Sequence, residues 1–311
     1  MAGILIYSDK GSLAMELLTA ANQWAANEGL KISAVSINND NLAQALASAG
    51  ATTYGINDPA IFLGDTAAMA SALQQAAQQV DADIILLSSD RRGKELAGRL
   101  AQKLQAGCLT DVKNMQNDDG RIVCTRNVLG GATVATQIIT SPHKVIALSP
   151  KAYPAADSQA GGTISDLKVA VKPSAIRLMG TRAKTGDSVE IEAAEVLVVV
   201  GQGVENRSDL PTVENIALAL GGVVACSKPV ATDKKWLGEE RIVGLSGKIC
   251  KPDLAIVLGV SGQVQFTVGI RDARIIISIN NDEKAYMNQI ADYYMVGDLK
   301  ELIPELNQAL G

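Results

Sequence analysis

The chain has 311 residues, of which 47% are apolar and 20% charged, with a formal net charge of −5; that is the composition of a folded chain long enough for two domains. The mild acidity, with no basic stripe to neutralise a phosphate backbone, argues against nucleic acid as a partner. No apolar run approaches the roughly 20 residues that span a bilayer.

Aromatics are 3% of the chain and the apolar content rests on Ala, Val, Ile and Leu, the residues of buried parallel strands and the helices that cover them. The N-terminus has no basic region, and Asp9 and Lys10 interrupt any apolar signal segment, so a cytoplasmic protein is expected. Ile4–Tyr7 reads as a strand, and Leu13–Asn27 as a helix with Leu13, Leu17, Leu18, Ala21 and Trp24 at helical spacing. A strand over Lys31–Ile37, a helix over Leu42–Ala49, a strand over Ile84–Leu87 and a helix over Gly93–Leu104 continue a doubly wound α/β pattern. Shorter β-rich pieces follow at Arg121–Val128, Ala132–Ile139, Val145–Leu148 and Leu167–Val171, with a loop over 151–162. They are expected to complete the first domain, and the turn-rich run Thr185 to Ser188 is the candidate boundary, giving domains over 1–187 and 188–311.

The last third holds apolar runs at Val196–Val200, Gly222–Cys226, Leu254–Leu258, Ile275–Ile279 and Tyr294–Val296. After them come Gly201-Gln202-Gly203, Ser227-Lys228-Pro229, Gly259-Val260-Ser261-Gly262, Asn280-Asn281-Asp282 and Gly297-Asp298. In an open parallel sheet, ligands bind outside the carboxyl ends of the strands, and small residues there let the backbone approach a phosphate or sugar. A nucleotide-type cofactor is therefore expected. Gly201-x-Gly203 alone is a weak signal, because Asn206 stands where the dinucleotide fingerprint has its third glycine. Arg91-Arg92-Gly93-Lys94 reads as a solvated cap or partner contact ahead of an anion site, and Trp236 among its charged neighbours as an exposed loop or short helix. Cys108, Cys124, Cys226 and Cys250 form no C-x-x-C pair and read as reduced buried thiols, while His143, the single histidine, leaves no material for a multi-histidine metal site.

The blocks Ala225 to Val230, Arg241 to Lys248, Pro252 to Gln265 and Ile279 through Ala291-Asp292-Tyr293 to Gly297-Asp298 resemble, in order and spacing, the flavin domain of electron-transfer flavoprotein alpha subunits. Arg91 to Lys94, Thr125-Arg126 and Gly130 to Ala132 look like family landmarks in the first half, and the Ser-Lys-Pro-Val and Lys235-Trp236 wording looks most like the bacterial branch tied to nitrogen-fixation and carnitine-type electron chains. The resemblance implies a doubly wound N-terminal α/β domain and a C-terminal parallel-sheet FAD-binding domain. It also implies FAD as cofactor, a beta subunit as heterodimer partner, and electron exchange with an acyl-CoA dehydrogenase-type or other flavoenzyme and a downstream acceptor.

Carried over residue by residue, Ser227 and Lys228 would lie near the isoalloxazine, with Val243, Gly244, Leu245 and Ser246 approaching the flavin and its chain. Ser261, Gly262, Gln263, Val264 and Gln265 would line the ribityl and pyrophosphate portion, and Asn280, Asp298 and Leu299 the adenosine end. Gln202 and Lys228 stand where the family usually has arginine, and Phe266 where it has a histidine near the pyrimidine edge. Losing the guanidinium at Gln202 removes a charge-assisted pyrophosphate contact, with Arg207 and Lys248 as candidates to compensate. Two other readings stay open: a flavin-depleted scaffold subunit and an adenine-nucleotide binder of the same fold. As a redox carrier the chain would need no acid, base or nucleophile of its own.

Overall fold

The structure is a computed structural model that describes residues 3–118, 120–129, 131, 133–158, 161–172, 174, 176–180 and 189–310, without the side chains of 26–28. The chain divides into two units, Met1–Thr181 and Arg182–Gly311; the expected boundary at Thr185 to Ser188 lies outside the described residues.

The first unit runs β1 (Gly3–Tyr7), α1 (Gly11–Glu28), β2 (Lys31–Ile37), α2 (Asp40–Ser48), β3 (Thr52–Ile56), α3 (Thr66–Gln79), β4 (Ile84–Ser88), α4 (Arg91–Leu104), β5 (Gly107–Asp118), β6 (Arg121–Val128), β7 (Thr133–Ile138), β8 (Lys144–Leu148) and β9 (Thr163–Asp166). The strands form one sheet in the order β7-β6-β5-β8-β4-β1-β2-β3-β9, parallel except where β6 meets β5 and β7. Successive side chains of a strand point to opposite faces, so β1 is apolar throughout because both faces are covered. Ile4 and Ile6 join the cluster that includes Leu17, Ala21 and Leu42, and Leu5 and Tyr7 the one that includes Met69, Leu73 and Leu100.

The second unit runs β10 (Val196–Val200), α5 (Leu210–Ala219), β11 (Val223–Cys226), α6 (Lys228–Thr232), β12 (Leu254–Leu258), α7 (Val264–Thr267), β13 (Ile275–Asn280), α8 (Tyr286–Ile290), β14 (Tyr293–Val296) and α9 (Leu299–Leu310). Its sheet has the order β11-β10-β12-β13-β14, and every pairing is parallel. Val198, Val200, Ile256 and Leu258 pack in the cluster that contains α5 and α9 residues. Leu197, Val199, Ala255 and Val257 pack in the one holding Phe266 and Met287.

Some elements depart from the sequence expectation. β3, α3 and β5 were not marked by the apolar pattern. The sequence of α3, Thr66 to Gln79, is rich in alanine and glutamine, which blurs its apolar stripe, and its start is fixed instead by the Asp65 carboxylate accepting from the amides of Ala67 and Ala68. Leu167–Val171 alternates like a strand but is not one. Its backbone bonds to side chains of α3: Gln75 donates to Ala170 O and accepts from Ala170 N, and Gln79 donates to Lys168 O. The strand in this region is β9, just upstream, pairing with β3.

Candidate functional site

The second sheet reverses direction of growth between β10 and β12. Its chain order outward from β10 is that of the doubly wound sheets that bind a cofactor at this switch point. The loops leaving β10 and β12 are pressed together there: Gly201 N donates to Leu258 O (2.7 Å) and Gly203 N to Gly259 O (2.9 Å). A Cβ on Gly201 would sit 2.2 Å from Gly259 O, and one on Gly259 2.8 Å from the Cα of Gly203. The glycines of this turn are therefore needed for backbone-to-backbone packing, a role that the incomplete fingerprint did not indicate.

Other segments join the same edge. β11 is followed by buried Ser227, whose amide donates to Val200 O, and Val243 N donates to Cys226 O. The turn after Val243 is held on the start of α7 by Leu245 N donating to Gln265 O (2.7 Å). At the next strand end, Asn280 Nδ2 donates to Val260 O (2.9 Å) while its Oδ1 accepts from Asp282 N (3.1 Å). Ser261 O accepts from Met287 N. Asp298 Oδ1 accepts from Lys300 N as α9 begins.

The carried-over positions thus come together at the carboxyl ends of one sheet, but they present themselves differently. Gln202, Lys228, Leu245, Ser246, Ser261, Gln263, Val264, Gln265 and Asp298 are exposed, whereas Ser227, Val243, Gly244, Gly262, Asn280 and Leu299 are buried. Asn280 spends both ends of its amide on the protein, so it positions loops. Phe266 is 7% exposed and lies in the apolar cluster with Val243 and Met287, so its ring packs behind the loops. Lys248, a candidate compensating cation, is engaged by Glu192 at 2.7 Å, while Arg207 is exposed.

Charge is distributed unevenly along this edge. Lys228 and Lys234 lie toward β11 and β10. Lys234, one of the charged neighbours of Trp236, is committed to the chain: its Nζ donates to Gln202 O (3.0 Å) and Val204 O (2.6 Å) and lies 4.2 Å from the Trp236 ring centroid. Trp236 itself is half-buried against the core rather than exposed. The loop of Gly201 to Val204 also borders a small cleft lined by Gly203, Glu205, Asp209, Asn281, Asp298 and Lys300 among others. Lys300 bridges to Glu205 at 2.7 Å, and that carboxylate raises the lysine pKa.

The corresponding edge of the first unit is filled by its own ion pairs. Arg92 pairs with Asp9, Lys10 with Asp90 (3.4 Å) and Lys94 with Asp111 (2.7 Å), so the cations of the Arg91 to Lys94 run, apart from exposed Arg91, are neutralised locally. Burial, with Asp9 adding to it, pushes the Tyr7 phenol far above its ordinary range. The cysteine expectation needs one correction: Cys124, Cys226 and Cys250 are buried, but Cys108 is exposed, and all four are free thiols. Burial pushes Cys226 up to about 12 and Cys124 to about 11. His143 Nδ1 lies 3.2 Å from Asp83 on the first unit. Among the described residues, no group of three or more His, Cys, Asp or Glu is placed to hold a metal, and no helix is long and apolar enough to cross a membrane.

Fold and site together define a two-unit α/β protein whose second unit is built as a nucleotide-cofactor domain. Residues 8–172 match the electron transfer flavoprotein domain and residues 190–271 the electron transfer flavoprotein FAD-binding domain. The chain is 31% identical over 312 residues to Protein FixB of Escherichia coli O157:H7 and to that of Shigella flexneri, covering 99% of this chain and 97% of each relative. It is 31% identical over 314 residues to Protein FixB of Salmonella agona (strain SL483), covering 98% of that protein. The chain belongs to the electron transfer flavoprotein family and is of the alpha-subunit type.

Proposed function

We propose that this chain carries FAD on its second unit and, paired with a beta subunit, shuttles electrons between an acyl-CoA dehydrogenase-type or related flavoenzyme and a downstream acceptor. Residues 1–187 form the partner-pairing domain and 188–311 the FAD-binding domain. The observation that carries the reading is the coincidence of the matched FAD-binding domain, residues 190–271, with loops that converge on the switch point of a parallel sheet.

The residues present suit this cofactor. Gln202, Ser261, Gly262, Gln263, Val264 and Gln265 offer backbone and amide groups to the pyrophosphate and ribityl chain, and Lys234 supplies positive charge on that side. Ser227, Lys228 and the turn Val243, Gly244, Leu245, Ser246 border the isoalloxazine, with Phe266 packed behind them. Asp298, with Asn280 and Leu299 fixing the loops around it, faces the adenosine, where a carboxylate suits sugar hydroxyls. Bound FAD supplies the electron transfer itself. The protein orients it, and the buried apolar clusters beneath the loops keep the floor of the site dry.

Support for a beta subunit comes from the outer strands of the first unit. Ile138, Val123 and Gln116 form one cross-strand row, and Thr136, Thr125 and Asn114 the next. Beyond the Asp118–Arg121 ion pair at its end, the rows of this face are uncharged, and Val134 and Ile138 on it are 64% and 45% exposed. A cytoplasmic location belongs to the same reading, in keeping with free thiols in a reducing compartment.

The test is purification of the full chain with its beta subunit, followed by extraction and mass analysis of whatever is bound. FAD is the expected result. An adenine nucleotide alone would favour the nucleotide-binder reading, and a colourless, ligand-free heterodimer the scaffold reading.

A further inference from the structure

The loop of Gly201 to Val204 at the switch point has most of its amides committed. Those of Gly201 and Gly203 bond to Leu258 and Gly259, and that of Val204 to Gly201 O. The Gln202 amide has no partner among the described residues. What fixes this peptide is on its other side. The Lys234 ammonium, reaching from the segment after α6, takes Gln202 O at 3.0 Å and Val204 O at 2.6 Å. It is held in turn against the Trp236 ring, 4.2 Å from the centroid, and Trp236 N is anchored to Val230 O at 3.1 Å. An ammonium has three donors and no acceptor, so it suits two carbonyls that converge without backbone amides to pair with. The aromatic face attracts the same charge.

We propose that Lys234 is a positioning residue for the anionic portion of the flavin nucleotide. It turns the Gln202 and Val204 carbonyls inward, leaves the Gln202 amide directed outward, and places a positive charge behind a loop that would otherwise meet phosphate with carbonyl oxygens free to rotate toward it. This rests on the reading that FAD occupies these strand ends. Lys234 acts through the loop backbone and through its field, with no direct contact to the cofactor required.

The experiment is titration of the full chain, freed of nucleotide, with FAD and separately with riboflavin, for the unmodified protein, Lys234→Met and Lys234→Arg. Methionine keeps the stem and loses the charge and both hydrogen bonds, whereas arginine keeps charge, donors and affinity for an aromatic face. Lys234→Met is expected to weaken FAD by about tenfold, equivalent to about 1.4 kcal/mol, with Lys234→Arg recovering most of it and riboflavin, which lacks phosphate, changing less than about twofold. The FAD dissociation constant should also lose part of its dependence on salt in Lys234→Met. Equal FAD affinity in all three folded proteins overturns the proposal. So does a loss that is the same for riboflavin and FAD, or one not rescued by arginine, because either marks a general structural role. Failure of the unmodified protein to bind FAD overturns both this inference and the function on which it rests, and so is told apart from failure of the inference alone.

Discussion

Gly259→Ala should be far more damaging than a glycine substitution of equal backbone strain elsewhere in the same unit. Gly259 has φ +63°, and Gly221, after α5, has φ +67°; an L-residue in this left-handed region costs roughly 1–2 kcal/mol. Around Gly221 nothing lies within 4 Å of an added Cβ, whereas at Gly259 it would stand 2.8 Å from Gly203 Cα, 2.8 Å from Leu299 Cδ1 and 3.0 Å from Gly203 C. The Leu299 methyl can move, but the Gly203 backbone is tied to Gly259 O. Overpacking of this kind adds about 1–3 kcal/mol, so Gly259→Ala should cost roughly 2–5 kcal/mol against 1–2 for Gly221→Ala. Guanidinium unfolding followed by Trp236 fluorescence, in a Trp24→Phe background, reads the second unit. FAD titration of each variant then shows whether parting the two loops also weakens the cofactor site. Equal stability of the two variants would refute the claim that the glycines serve close packing of the switch point.

Three further outcomes are expected. Asp65 has its pKa held below the ordinary 3.8 by the Ser174 hydroxyl first, then by the Ala68 and Ala67 amides. A depressed folded value means the stabilisation is full above the unfolded pKa and is lost as pH falls through the folded one. Asp65→Asn should therefore flatten the acid limb of stability below about pH 4, and an unchanged slope in denaturant midpoints against pH would contradict this. Native thiol labelling should modify exposed Cys108 and spare the buried Cys124, Cys226 and Cys250, with a rate still rising above pH 9.0 because the chain around the Cys108 sulfur partly desolvates it and raises its pKa although the residue as a whole is exposed; four fast thiols would disprove the burial pattern. Gln202→Arg should tighten FAD by about tenfold through one charge-assisted contact worth about 1.5–3 kcal/mol, less its ordering cost. A flavin titration with no gain would show that the Gln202 side chain faces away from the phosphates.

Much of the fold was legible because its strands are apolar on both faces. β10, β12 and β13 stood out as uninterrupted Val, Ile and Leu runs, and the loops after them carried the polar and small residues of a binding edge. What stayed hidden were elements whose signals are side-chain specific. α3 is an alanine-rich helix started by the Asp65 cap, and Leu167–Val171 keeps a strand's alternation while two glutamines of α3 take the place of a neighbouring strand. The same limit applied at the site. The glycine pattern was visible, but its purpose, loop against loop, needed the register of β10 with β12. Phe266 stood out as a departure at an expected contact position, but only packing reveals that it belongs to the core. Lys234 and Trp236 were visible as a charged aromatic segment, and nothing in their spacing indicated that the lysine reaches back 30 residues or more to Gln202 and Val204.

Hydrogen–deuterium exchange of the full chain with and without FAD tests the central claim most directly, because it locates the cofactor in either unit without prior choice. Slowed exchange is predicted at 202–204, 227–228, 244–246, 261–265 and 298–300 of the second unit, with residues 8–12 and 88–94 of the first unit unchanged. Protection confined to 8–12 and 88–94, where the ion pairs of Asp9, Asp90 and Asp111 lie, or no protection by FAD anywhere, would contradict the account.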